Sequence, residues 1–547
     1  MSLEEPSNPH HRSASSLATA LLLAVAVLWC LYWFVHAWNY WEDDAYIHLE
    51  FARSVAAGRG FAFDGKVVAG DTAPLWVLLL AAMHALIPDW LVAGKVLTVL
   101  GAALGLTGAY AFARSLASSL IPSRSIAAIF PAAMVLLIVI NPYSCYWLFS
   151  GMEPIAASGV AFFAVLAATR EPATLKTFLA GCMLAGIAPL LRPEMVFLAG
   201  LLLLPLLGQW RRLTGSSAKF GAFAAGLLLL VTPLALWSLY SLHAFGHVFP
   251  NTNAAKRAAP GDSVILHLLT IYSVALPLIV CGLLAGLVYL ALRPSGVRDS
   301  LRNAVASAFR SGSDAANPSA DPQRFVTFPL AAWIFIVWPA IAAVFYVANH
   351  TYVQTRYILV TAPGLTIVIM ALALLASQRL GRVLYLAALV AALAVSLLTV
   401  RPFLRNKATN CQGTRSFAHF IRDHVPPDAP VAVYSIGQIV FDSEHPIVDT
   451  GGITQPGALP YLNAPSDAML RWAKSQGAQY DIAGLQPEPG AVRIYTVNTR
   501  FIGWTLHTSL YKTSLPVSLW KLAPLPESTQ PPASPLTANS HWPVALK

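Results

Sequence analysis

Between Leu17 and Val400 the chain returns repeatedly to Leu- and Ala-rich apolar runs of bilayer length. A spanning helix needs about 20 such residues. Candidate spans lie at 17–38, 90–113, 125–141, 154–169, 177–191, 194–209, 219–242, 264–292, 325–347, 357–377 and 382–400, eleven in all. Charged residues make up only 11% of the chain, against about 25% in soluble domains. The expected class is therefore a polytopic α-helical membrane protein. Leu17 to Trp38 is too long for a signal-peptide core and lacks a small-residue cleavage site, so it reads as a retained anchor.

The run Ala73 to Pro88 is short and carries Pro74, Trp76 and His84. The distribution of basic residues decides its place. With residues 1–16 in the cytoplasm and 73–88 kept at the outer interface, Arg114 and Arg124, Arg170 and Lys176, Arg211 and Arg212, the loop from Arg293 to Arg324, and Arg379 and Arg382 all fall inside. A spanning 73–88 would turn them outward, so this run reads as interfacial or re-entrant. The net charge of +10 then belongs to topology, and nucleic-acid binding is not expected.

On the outer face this arrangement collects nearly every unusual polar residue. The loop 39–89 opens with Glu42-Asp43-Asp44, where a helix leaves the bilayer. Acids there need water, a cation or a basic partner. One would serve as a helix cap; three in a row suggest a general base acting on a hydroxyl, with Asp43 and Asp44 as candidates. Beyond Asp44, Ile47, Phe51 and Val55 recur at helical spacing, with His48, Glu50 and Arg53 on other faces, as in a helix lying on the membrane surface. Gly58 to Gly65 reads as a glycine-hinged turn closed by Asp64-Gly65, with Arg59 as a weak phosphate candidate. Trp76 suits an interface anchor or a sugar-stacking platform equally. Further outer landmarks are Ser150-Gly151-Met152-Glu153, Arg192-Pro193-Glu194, Pro250-Asn251-Thr252 with Lys256, and the segment holding His350, Arg356 and Tyr357. Convergence of Arg192, Lys256 and Arg356 would make a phosphate pocket, with Glu194 orienting Arg192. The five cysteines have no metal-ligand spacing; Cys145 and Cys411 could both face an oxidising compartment, with pairing left open. No phosphate-loop, dinucleotide or zinc-protease motif appears.

Residues 401–522 alternate helix-like runs (414–424, 467–475) with strand-like ones (431–435, 494–497, 517–522), as in a small α/β domain. Residues 293–324 read as a flexible linker, and 523–547, rich in Pro, Ser and Thr, as disordered.

Trp41-Glu42-Asp43-Asp44-Ala45-Tyr46-Ile47, Arg53, Gly58-Arg59-Gly60-Phe61 and Thr72-Ala73-Pro74-Leu75-Trp76 together resemble the first-loop signature of GT-C superfamily glycosyltransferases. The similarity is greatest to the branch of terminal arabinofuranosyltransferases and pilin arabinosyltransferases. The other outer landmarks follow in that branch's order, and Val431 to Gly437 with Val448 to Ile453 is similar to its soluble domain, except that Ser435 stands where an acid is common. The resemblance implies a bacterial inner-membrane enzyme of cell-envelope assembly, with residues 17–400 as the transmembrane domain and 401–522 periplasmic. It implies inverting transfer of a sugar, such as a pentofuranose, from a polyprenyl-phosphate donor to a hydroxyl of a glycan, lipid or protein. Asp44 or Asp43 would be the base. Arg192, Lys256 and Arg356 would hold the phosphate. Glu42, Arg59, Trp76, Glu153, Glu194, Asn251, His350 and Tyr357 would line the site. No cofactor is implied; a divalent cation at Asp43 and Asp44 lacks a full ligand set. The rival readings are a secondary transporter, which lacks inverted repeats of broken helices, and a non-catalytic scaffold for the tail.

Overall fold

The computed structural model describes residues 9–213, 216–258, 265, 268–269, 329–351, 353–484, 486–500 and 514–524. All but three residues of the expected span 264–292, Cys281, the linker 293–324 and all but the start of 523–547 lie outside the described residues. The chain is a polytopic helical membrane protein. Among the described residues, five helices contain segments long and apolar enough to cross a bilayer: Ala14–His36, Trp90–Leu120, Lys219–Phe245, Leu330–Ala348 and Gln378–His424. Pro74–Leu86, Arg124–Ile140, Pro154–Thr169, Leu175–Leu191 and Ala362–Ala376 are shorter apolar helices.

In chain order the helices are α1 (Pro9–His36), α2 (Asp43–Ala56), α3 (Pro74–Leu86), α4 (Trp90–Leu120), α5 (Arg124–Ile140), α6 (Pro142–Trp147), α7 (Pro154–Thr169), α8 (Leu175–Leu191), α9 (Met195–Arg212), α10 (Ser216–Phe245), α11 (Asn251–Ala258), α12 (Leu330–Ala348), α13 (Thr355–Leu359), α14 (Ala362–Ala376) and α15 (Gln378–His424). Helix α4 lies at the centre and packs against α3, α5, α7 and α14, while α7 continues to α8 and α9. Small residues permit that closeness. A Cβ added to Gly105 would lie 2.5 Å from the Ile155 carbonyl oxygen, and one on Gly159 would lie 2.7 Å from the Leu104 backbone. Such small-residue seams replace the hydrophobic drive that helices lack in lipid.

The tight turn expected at Asp64-Gly65 is present, and it closes a short hairpin. Strands β1 (Ala62–Phe63) and β2 (Lys66–Val67) pair antiparallel through Asp64 and Gly65, at φ 49° and 72°. Two successive positive φ values are the signature of a twist-matched two-residue turn. The expected single span 357–377 is divided into α13 and α14, with Pro363 in the first turn of α14.

Two other expectations need correction. Helix α2 does not turn a polar face to solvent: Ala45 through Ala52 and Ser54 are buried. It packs against α3 and against a helix of the tail, and its polar residues are buried with partners. Nor does the last expected helix end at residue 400. Helix α15 runs unbroken for 47 residues, through Arg401-Pro402, into the tail. Proline costs a helix interior about 3 kcal/mol, so a boundary there was the natural reading. Packing of Phe403, Leu404, Phe417 and Ile421 on their buried side holds the helix beyond it.

After α15 come β3 (Val431–Val433), α16 (Ile436–Ser443), β4 (Ile447–Asp449), a 3-10 turn (Pro456–Tyr461), α17 (Ser466–Ser475), β5 (Tyr480–Ala483), β6 (Val492–Arg500) and β7 (Ser514–Lys521). They form one five-stranded sheet in the order β4-β3-β5-β7-β6. Strand β3 is parallel to β4 and β5, whereas β7 is antiparallel to β5 and β6.

Candidate active site

Helix α2 begins where Glu42 turns the chain, at φ −83° and ψ 146°, and its first turn carries Asp43 and Asp44, as favoured at a helix N-terminus. The three acids then diverge. Glu42, 2% exposed, accepts from Tyr40 Oη at 2.8 Å and from Tyr146 Oη, with Lys407 Nζ of α15 at 3.4 Å. Asp43 accepts from the backbone N–H groups of Gly437 (3.2 Å) and Gln438 (2.9 Å), and so caps α16 of the tail. Asp44 pairs with Arg356 of α13, and its side chain is 29% exposed.

The environments set different acidities. Burial pushes Asp43 up to about 6, against the two N–H groups and with help from the Asp44 charge. Burial also disfavours the Asp44 charge, but Arg356, Lys256 and His48 together hold its carboxyl below the ordinary range. Asp44 is thus a carboxylate at neutral pH.

One turn after Asp44, on the same face, His48 is buried between two acids. Its Nδ1 lies 2.5 Å from Asp71 Oδ2 and its Nε2 3.3 Å from Glu153 Oε2. Burial opposes the imidazolium, but Asp71 and Glu153 outweigh it and raise its pKa to about 10. Asp71 also accepts from Ala73 N at 2.6 Å, fixing the entry to α3. A raised folded-state pKa gives stability that is full below the unfolded value of about 6.5 and lost as pH rises through about 10. Melting of detergent-solubilised parent and His48→Gln should therefore differ most below about pH 6.5 and converge towards pH 10. A pH-independent gap would remove the imidazolium from the argument.

The chain of charges continues inward. Glu153 Oε1 accepts from Arg192 Nη1 at 2.7 Å, and Arg192 donates from Nε (3.0 Å) and Nη2 (2.6 Å) to Glu194 Oε1. Arg192, Glu153 and Glu194 are all buried. The loop that presents Glu153 is pinned: Glu42 N donates to Ser150 O at 3.1 Å and Trp76 Nε1 to Gly151 O at 3.2 Å. Gly151 has φ 88°, and a Cβ there would lie 2.6 Å from the Trp41 ring, so no other residue fits.

Three cations meet at one ring. Arg192 Cζ, Lys256 Nζ and Arg356 Cζ lie 4.7, 4.8 and 5.4 Å from the centre of the Tyr357 ring. Helix α13 is fixed by Trp147 Nε1 donating to Thr355 Oγ1 at 3.0 Å. Among the described residues, Arg356 Nε and Nη1 and Tyr357 Oη, together with Thr252 Oγ1 on α11 and Gln354 Oε1 just before α13, are buried without a hydrogen-bond partner. A buried unsatisfied polar atom costs about 1–3 kcal/mol. The donors among them present a cradle for an anionic oxygen.

The remaining sequence candidates are placed as follows. Asn251 opens α11, its N–H donating to Ala69 O at 2.8 Å. Trp76 is 1% exposed, so it is neither an interface anchor nor a stacking platform. Arg59 is exposed at the end of α2, near Ser54 Oγ at 3.4 Å. His350 is exposed beyond α12, at φ 49°. No contact brings Arg59 or His350 to the cations around Tyr357. Cys145 and Cys411 are free thiols, hydrogen-bonded to the carbonyls of Val139 (2.9 Å) and Trp41 (3.0 Å). Asp43 and Asp44 turn to different partners, and among the described residues no three His, Cys, Asp or Glu side chains group as a metal site.

Sequence reasoning missed His48, Tyr146 and Lys407. His48 had a signal, since it stands four residues after Asp44 and shares its helix face. Tyr146 and Lys407 had none, because only the folded chain brings them to Glu42.

Comparison with known proteins adds three findings. Residues 403–523 match a family model described as a domain of unknown function, DUF8728. No curated protein matches the chain. Among solved structures, the chain is similar to ArnT from Cupriavidus metallidurans bound to undecaprenyl phosphate, with a TM-score of 0.52 and 15% identity over 93% of this chain and 99% of that one. The apo state of the same protein gives 0.54 and 15% over 94% and 100%. The chain therefore shares the fold of ArnT over nearly its whole length.

Proposed function

We propose that the chain is a GT-C-type membrane glycosyltransferase that moves a sugar from a polyprenyl-phosphate donor to an acceptor hydroxyl, with Asp44 as general base. One observation carries this reading: an accessible, ionised carboxylate stands beside a buried cradle of unsatisfied donors. Asp44 takes the proton of the acceptor hydroxyl. The oxygen attacks the anomeric carbon from the face opposite the phosphate, so the configuration inverts. The C–O bond to phosphate breaks, and the leaving anion is held by Arg356, Lys256 and Tyr357, whose donors replace its water. The fold shared with ArnT, a structure of which holds undecaprenyl phosphate, supports a polyprenyl phosphate as the leaving lipid. The first-loop resemblance supports a pentofuranose as the sugar. The distribution of Lys and Arg supports eleven spans, a cytoplasmic N-terminus and a tail on the opposite face; the first-loop resemblance supports a bacterial inner membrane with that face periplasmic.

The test is incubation of purified protein with polyprenyl-phosphate pentoses and hexoses. Release of free polyprenyl phosphate that depends on Asp44 supports the reading; no turnover of any donor refutes it. Lys256 is half-buried, its Nζ 4.8 Å from the centre of the Tyr357 ring. A charge-assisted hydrogen bond contributes about 1.5–3 kcal/mol, so Lys256→Ala should raise the donor KM about tenfold or more with acceptor KM unchanged. Equal donor KM in both proteins would take Lys256 out of the cradle.

A further inference from the structure

We propose that the tail forms an acceptor subsite at the carboxyl ends of β3 and β4, where Tyr434 stacks against a sugar ring of a glycan. This rests on the transferase reading above.

The sheet order β4-β3-β5, with β3 parallel to both neighbours, turns the carboxyl ends of three strands to one edge. In open α/β sheets ligands bind at that edge, where successive connections diverge from a central strand. Here the divergence is at β3, whose next residues are Tyr434 and Ser435. Tyr434 is 67% exposed, whereas Tyr461, Trp472, Tyr480 and Trp520 of the same domain are each 8% exposed or less. Single exposed aromatics are common; the setting of this one is not. The loop after β4 is held beneath it by Asp449, fully buried, which accepts from Gly451 N (2.8 Å), Gly452 N (3.1 Å), Thr454 N (2.6 Å) and Thr454 Oγ1 (2.9 Å). A Cβ on Gly451 would come within 3.2 Å of the Tyr434 carbonyl oxygen, so the two loops lie against each other.

Both loops also rest on the first outer segment. The β3 loop leads into α16, whose N–H groups bind Asp43. The β4 loop abuts Gly70, where an added Cβ would lie 3.2 Å from Thr454 Cγ2. Asp43 faces the tail, and the adjacent Asp44 faces Arg356 and the anion cradle. The tail edge and the cradle thus adjoin the proposed base through different partners. The cradle suits the donor phosphate, which leaves the tail edge for the acceptor. A sugar offers an apolar C–H face to the phenol ring and hydroxyls to the exposed Ser435, the chemistry an amphipathic tyrosine matches.

The test titrates mono- to hexasaccharides of pentofuranose and hexopyranose into the full-length protein and Tyr434→Ala, and measures transfer with the same acceptors. Binding by the parent should weaken roughly tenfold in Tyr434→Ala and return in Tyr434→Trp. Acceptor KM should rise in parallel, with donor KM unchanged. No oligosaccharide binding by the parent, equal binding by Tyr434→Ala, or transfer only to a protein or lipid acceptor would overturn the subsite. Tyr434-dependent oligosaccharide binding without turnover of any donor would overturn the transferase reading and leave the subsite standing.

Discussion

Asp44→Asn should lower kcat for sugar transfer about a hundred- to ten-thousand-fold while leaving donor binding intact or tighter. The first part follows from removing a general base, which contributes a factor of that size. The second follows from the partner. Asp44 draws on the same guanidinium that would hold the leaving phosphate. Neutralising it leaves Arg356 more positive towards an incoming anion, while the near-isosteric amide keeps the packing of α2. Donor affinity can be read by lipid displacement, and kcat by release of polyprenyl phosphate at saturating donor. Loss of donor affinity with kcat preserved would reverse the assignment and make Asp44 a binding residue. In the parent, the carboxyl is held below the ordinary range. Asp44 should therefore impose no loss of kcat/KM between pH 5 and 8, and an acidic limb should appear only below the usual carboxylate range.

Arg192→Ala should be a folding defect before it is a catalytic one. The guanidinium is shared by Glu153 and Glu194, and all three are buried. Removing one member of a buried ionic group typically costs about 3–5 kcal/mol, because the charges left behind are uncompensated. In a protein of marginal stability that is a large share of the total. The expected result is low yield and early melting in detergent, partly restored by adding Glu194→Gln, which removes a stranded charge. An Arg192→Ala protein that melts like the parent but fails to bind donor would return Arg192 to the phosphate role that its sequence position suggested.

The contrast between Arg192 and Arg356 shows where sequence reading stops. Both are arginines on the outer landmarks. Only the fold shows that Arg192 has two carboxylates while Arg356 keeps Nε and Nη1 unpaired. The convergence of Lys256 on the same ring was a condition that the pattern could state and not test. Helix limits were legible where apolar runs met clear punctuation: Pro154–Thr169 starts at its proline and stops at Arg170. They were illegible where tertiary contact overrode punctuation, as at Arg401-Pro402. The burial of α2 was hidden for a similar reason. Alternation of apolar and polar residues describes a half-solvated helix equally well as one whose polar face is paired. His48 with Asp71, and Glu50 with Arg53, make it the second kind. Arg53 also reaches Glu444 of the tail at 2.6 Å.

The unbroken α15 makes the tail phase-locked to the membrane. A helix advances about 1.5 Å and turns about 100° per residue. One residue inserted between Leu404 and Arg415 would swing the sheet through more than a quarter-turn, carrying the N–H groups of Gly437 and Gln438 off Asp43. Seven residues would restore the heading and lift the domain by about 10 Å, clear of the acidic loop. Length variation here is thus quantised in both angle and height, and no insertion of this size satisfies both. A loop connection at the same point would have absorbed either change.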